Sequence, residues 1–138
     1  MFATYRVGLM LCDPPKWWTE IEQWAQQHGE KVVLSFPTNS SRHFAPAVDR
    51  WRTALREGTH THDGDILATD HVTSAHLKKV RLEGDADDGR TAYVLVKGDE
   101  GARIDGAVAD VLAYEAAMTM PAPPAASIYE SDGLTVFG

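Results

Sequence analysis

Cysteine is almost absent: Cys12 is the only one in 138 residues, so the chain can form neither an internal disulfide nor a multi-cysteine zinc centre. No apolar run approaches the roughly 20 residues of a membrane-crossing helix, which excludes a helical membrane span. The opening MFATYRVGLMLCDPP holds only Arg6 ahead of its apolar stretch and no small-residue cleavage site, so it is not a secretory signal and an intracellular protein is expected. No GxxxxGK[ST] phosphate loop occurs, and no Ser-His-Asp arrangement or activated cysteine is evident. Cys12 sits in an apolar strand and reads as inert packing. Positive charge is the minority, with 13 Lys and Arg against 20 Asp and Glu for a net charge of -7. Such a field repels nucleic acid at long range, so DNA binding needs a local patch, a metal ion or another part of a larger assembly.

What is present is the composition of one globular domain, 43% hydrophobic and 24% charged. Tyr5 to Cys12 alternates with period 2, as a strand does, and runs into Asp13-Pro14-Pro15, where Asp suits an N-cap and Pro the first turn of a helix. That helix carries a stripe of Trp17, Ile21, Trp24, Ala25 and His28 and stops at Gly29. Lys31 to Phe36 reads as a short strand closed by Pro37-Thr38-Asn39. A helix over Ala45 to Glu57 turns Val48, Trp51, Ala54 and Leu55 inward and ends at Gly58. The turn-rich THTHDGD leads to a helix from Ile66 to about His76. Lys79 to Glu83 and Thr91 to Lys97 flank the acidic turn Asp85 to Arg90 as a hairpin. A last helix spans Ile104 to Met118, and 119–138, opening on Pro121, Pro123 and Pro124, is an irregular tail. The order predicts a mixed α/β domain over 1–118, with the tryptophans mainly in the core.

Two carboxylates stand out by position. Asp13 lies where a strand meets a helix, the sheet edge at which functional side chains collect, although from spacing alone an N-cap is the commoner role for such a residue. Asp105 lies in the first turn of the last helix, where the dipole favours an acid. A sheet can bring such a pair together although they stand 92 positions apart (13 to 105), and converging Asp side chains are hard ligands suited to Mg²⁺ or Mn²⁺. A second group, His60, His62, Asp63 and Asp65, could hold zinc. It also reads as a turn, since Asp63-Gly64 is a turn dipeptide and Asp65 can cap the next helix. Seven of the 13 basic residues lie between 42 and 81 while 83–100 holds six acids, an asymmetry that suits either a phosphate-facing patch or a solvated helix face.

The blocks CDPPKWWTEIEQWAQQHG, VVLSFPTNSSRHFAPAVDRW, THTHDGDILATDHVTSA and RIDGAVADVLAYEAA, in that order over roughly 13–117, resemble the C-terminal part of the large terminase subunit of tailed bacteriophages. The resemblance implies a partial RNase H-like nuclease fold, a mixed sheet flanked by helices, that cuts concatemeric phage DNA during genome packaging in the bacterial cytoplasm. It implies a site in which acids hold Mg²⁺ or Mn²⁺ to activate water and stabilise the leaving oxygen. By motif position Asp13 resembles the family's metal-binding, catalytic carboxylate at the end of the inner strand, and Asp105 resembles the one on the closing helix. Lys97 is a candidate neighbour of the phosphate backbone, and Asp63 or Asp65 is a candidate to complete the acid set. Double-stranded phage DNA, the small terminase subunit and the portal protein are the implied partners, with no membrane.

The departures shape the expectation further. The family's nuclease begins with a strand hairpin bearing another metal-binding Asp and follows a packaging ATPase, and neither is present here. The expectation is a fragment or a prophage remnant with weak two-metal binding and cleavage that is poor or absent. The competing expectations are a noncatalytic module that docks on DNA or protein, and an unrelated metallohydrolase built on His60 to Asp65. An exposed sheet edge would favour self-association.

Overall fold

The computed structural model describes residues 2–82 and 91–121. The turn expected at Asp85 to Arg90 and the tail from 122 onward lie outside the described residues. Among the described residues eight elements follow one another: β1 (Met10–Cys12), α1 (Trp18–His28), β2 (Val33–Ser35), α2 (Ser41–Glu57), α3 (Ile66–Thr73), β3 (Ala75–Val80), β4 (Ala92–Lys97) and α4 (Asp105–Thr119). The mixed α/β expectation holds. The strands, however, pair as two two-stranded sheets instead of one mixed sheet. β1 and β2 run parallel, Met10 opposite Val33 and Cys12 opposite Ser35, with α1 as their crossover. β3 and β4 form an antiparallel ribbon with Leu77 opposite Leu95.

The helices α2 and α4 join the two sheets. α2 packs on both β4 and α4, and α4 also packs on β1. The main core gathers Phe44, Val48 and Trp51 of α2, Leu95 of β4, and Ala107 and Val111 of α4. A smaller core of Cys12, Ile21 and Val33 glues α1 to the parallel pair. Each is apolar surface removed from water, the main favourable term in folding. Burial pushes the Cys12 thiol up from its ordinary value, because a thiolate there would be desolvated.

Several boundaries shift. The first strand contracts from Tyr5 to Cys12 down to its last three residues, since only these find a partner in β2. The first helix starts at Trp18 instead of after Asp13. Pro14 C=O accepts from Trp17 N–H at 3.0 Å and Lys16 has φ 74°, so Pro14 to Trp17 is a type II turn whose left-handed residue interrupts helical dihedrals. Trp17 and Trp18 are consequently exposed, at 56% and 59%, against the expectation of core tryptophans; only Trp51 is fully buried. α2 begins one turn earlier than Ala45, with Ser40 C=O accepting from His43 and Phe44 N–H. That seats Phe44 in the core. α3 ends at Thr73 instead of near His76, because residues 75–80 are taken by the ladder with β4. Gly29 and Gly58 end their helices as expected, each with positive φ. No helix among the described residues is long and apolar enough to cross a membrane.

Candidate functional site

Parallel pairing puts the carboxyl ends of β1 and β2 side by side, and Asp13 and Thr38 lie just beyond them. Asp13 does not cap α1. Its Oδ1 accepts from the Thr38 backbone N–H at 3.0 Å and its Oδ2 from the Thr38 hydroxyl at 2.7 Å. Both oxygens are thereby oriented, and each keeps a further lone pair for another ligand. The turn through Pro15 and Lys16 carries the chain away before α1 begins, leaving this carboxylate at the rim.

Asp105 occupies the first turn of α4, where the unpaired N–H groups favour a negative charge. Its residue is exposed. Lys97 is the last residue of β4. These three side chains come from the loop after β1, the end of β4 and the start of α4, yet all line one open cleft of about 600 Å³ together with Thr38, Asn39 and Ser41. Phe44, Leu95 and Ile104 supply its apolar part. Within that lining Asp13 and Asp105 are the only acids, and Lys97 is the only base.

The cleft lining thus offers two carboxylates as hard oxygen donors and one positive charge. It suits a small divalent cation that keeps most of its waters, with Lys97 placed to offset an approaching anion. Among the described residues no three His, Cys, Asp or Glu side chains converge as a metal cage.

Asp63 and Asp65 lie outside the cleft lining. Asp65 caps α3, its Oδ1 accepting from Ala68 N–H at 2.8 Å, and Asp63 Oδ1 accepts from Asp65 N–H at 3.1 Å. His62 Nδ1 accepts from Gly64 N–H at 3.0 Å, with Gly64 at φ 83°. His60 turns away to Asp110, its Nε2 lying 3.0 and 3.1 Å from the two carboxylate oxygens. That same Asp110 accepts from Trp51 Nε1 at 2.8 Å, so the carboxylate satisfies a buried indole and ties the segment after α2 to α4. The His60-to-Asp65 segment is a turn and a helix start, as one of its two readings expected.

Thr38, Asn39 and Ser41 were not among the candidates from sequence. The signal was there in form: they follow a strand parallel to the one ending at Asp13, and side chains beyond the carboxyl ends of parallel strands share one edge. His71 also escaped notice; its Nδ1 accepts from Gly106 N–H at 2.7 Å. Comparison with protein-family models, curated proteins and solved structures finds no match to this chain.

Proposed function

We propose that the chain is a terminase-type nuclease fragment that holds Mg²⁺ or Mn²⁺ between Asp13 and Asp105 and meets DNA phosphate through Lys97. The observation that carries the reading is that Asp13 lines the same cleft as Lys97 and Asp105, which lie more than 80 positions farther along the chain. The parallel β1-α1-β2 unit, with Asp13 at a strand end, is consistent with a partial RNase H-like fold. The hard donors fit a divalent cation, which when bound would supply an activated water and charge stabilisation at the leaving oxygen. The chain's own part is to orient Asp13 through Thr38, to present Asp105 at a helix start and to place Lys97 against an anion. On this reading the partners are double-stranded phage DNA, the small terminase subunit and the portal protein.

Two carboxylates are few for two cations, because each anion offsets the ions' mutual repulsion. The charge of -7 also opposes capture of a polyanion. Both features favour, as a second reading, a noncatalytic module that keeps the fold and docks on DNA or a packaging protein. One experiment separates them: calorimetric titration of the 138-residue chain with Mn²⁺, beside plasmid cleavage in Mg²⁺ and Mn²⁺, for wild type and Asp105→Asn. The nuclease-fragment reading expects weak Mn²⁺ binding that Asp105→Asn removes, with feeble nicking that also depends on Asp105. Mn²⁺ binding unchanged by Asp105→Asn overturns the metal site. Absence of nicking with DNA still retarded on a gel selects the noncatalytic module.

A further inference from the structure

Helix α4 begins without a capping side chain of its own. The N-cap position is Ile104, which has no acceptor to offer the first-turn N–H groups. The acceptor comes from another helix: His71, in the last turn of α3, receives Gly106 N–H on Nδ1 at 2.7 Å. The ring lies so close that a Cβ on Gly106 would stand 2.8 Å from Nδ1, 3.1 Å from Cγ and 3.2 Å from Cβ of His71. Only glycine after Asp105 leaves room for it. Acceptance at Nδ1 assigns the ring proton to Nε2.

The same short stretch reaches the other side of the cleft. Ser74 C=O accepts from Gly98 N–H at 3.1 Å, and Ala75 pairs with Lys97 in the β3–β4 register. Residues 71–75 therefore contact the chain next to Asp105 through one hydrogen bond and the chain at Lys97 through another.

We infer that His71 is a positioning residue: through the Gly106 amide it fixes where α4 starts and hence where the Asp105 carboxylate stands relative to Lys97. The functional consequence rests on the metal reading above; the geometric one does not. His71 touches no ligand in this scheme and acts only through the backbone that carries Asp105. Partners that orient metal-binding side chains typically change affinity by roughly tenfold or more when lost.

The test compares wild type, His71→Ala, His71→Asn and Asp105→Asn by two readouts: hydrogen exchange of the Gly106 amide by NMR, and Mn²⁺ affinity by calorimetry. Asn can place its carbonyl oxygen where Nδ1 stood; Ala cannot. Expected are faster Gly106 exchange and Mn²⁺ affinity weaker by roughly tenfold in His71→Ala, with both restored toward wild type in His71→Asn. Gly106 exchange unchanged in His71→Ala overturns the inference, and so does unchanged Mn²⁺ affinity where Asp105→Asn abolishes binding. If Asp105→Asn leaves Mn²⁺ binding intact, the metal reading falls instead, and the Gly106 exchange pattern decides the positioning role by itself. Should His71→Ala fail to fold, His71→Gln takes its place, because its carbonyl sits one methylene farther out than the acceptor that Gly106 meets.

Discussion

Glu115 of α4 is held by Arg50 of α2 through two parallel hydrogen bonds, Nε to Oε2 at 2.9 Å and Nη2 to Oε1 at 2.6 Å. The pair is lopsided, since the Glu115 side chain is 8% exposed and the Arg50 side chain 47%. Removing the base strands a buried carboxylate, whereas the base itself is already half in water. Arg50→Ala is therefore expected to cost about 2 kcal/mol, less than a wholly buried ion pair would. Arg50→Lys should recover only part, because an ammonium cannot reproduce the planar fork. Urea unfolding of the three proteins checks both.

Thr38→Val removes the hydroxyl bond to Asp13 Oδ2 and leaves the backbone N–H bond to Oδ1. A loss of about 1 kcal/mol is expected, with Thr38→Ser close to wild type. Thermal unfolding followed by circular dichroism tests the order.

Two glycines face histidine rings and should respond differently to alanine. At Gly98 the added Cβ meets the far end of the His76 ring, 2.6 Å from Nε2, and His76 is exposed, so the ring can swing aside and the change should stay within about 0.5 kcal/mol. At Gly106 the clash includes His71 Cβ, which cannot move without α3. Alanine's helix advantage of about 1 kcal/mol is outweighed there, and Gly106→Ala should lower stability by about 1–3 kcal/mol. Combining it with His71→Ala should give less than the summed loss, which a double-mutant cycle in urea measures.

The raised pKa of Cys12 gives a pH dependence of known sign. Below its ordinary value of 9.0 the thiol is neutral in both folded and unfolded chains. Above it the unfolded chain loses the proton first, so stability falls as pH rises from there through the higher folded value. Cys12→Ala, though less stable overall, should lose less on going from neutral pH to about pH 10 than wild type does. Denaturant titrations at the two pH values compare the slopes.

Local signals in the chain carried well. Gly29 and Gly58 marked helix ends, Val48 and Trp51 marked a buried face, and Asp65 marked the start of α3, because each depends on neighbours a turn away. Asp105 at a helix start was legible for the same reason. What failed was decided at long range. Asp13 looked like a cap because Pro14 and Pro15 suit a helix start; its actual partner, Thr38, is 25 positions on. Residues 75 and 76 fitted a helix until their pairing with 96 and 97 is counted. Trp17 and Trp18 follow from the turn at Lys16, whose positive φ no residue type there announces.

The union of α4 with β1 governs more than the core. Asp13 and Thr38 are closed by a loop of 25 positions, whereas Asp105 arrives 92 positions after Asp13, an added closure cost of only about 1 kcal/mol. Distance along the chain is thus a small obstacle, and the docking of one helix decides whether the cleft exists. Val111, wholly buried on that helix, packs against α2 and β4 in the main core and so helps seat the helix that carries Asp105. Packing deep in the hydrophobic interior and the placing of a charge at the rim thus rest on the same helix.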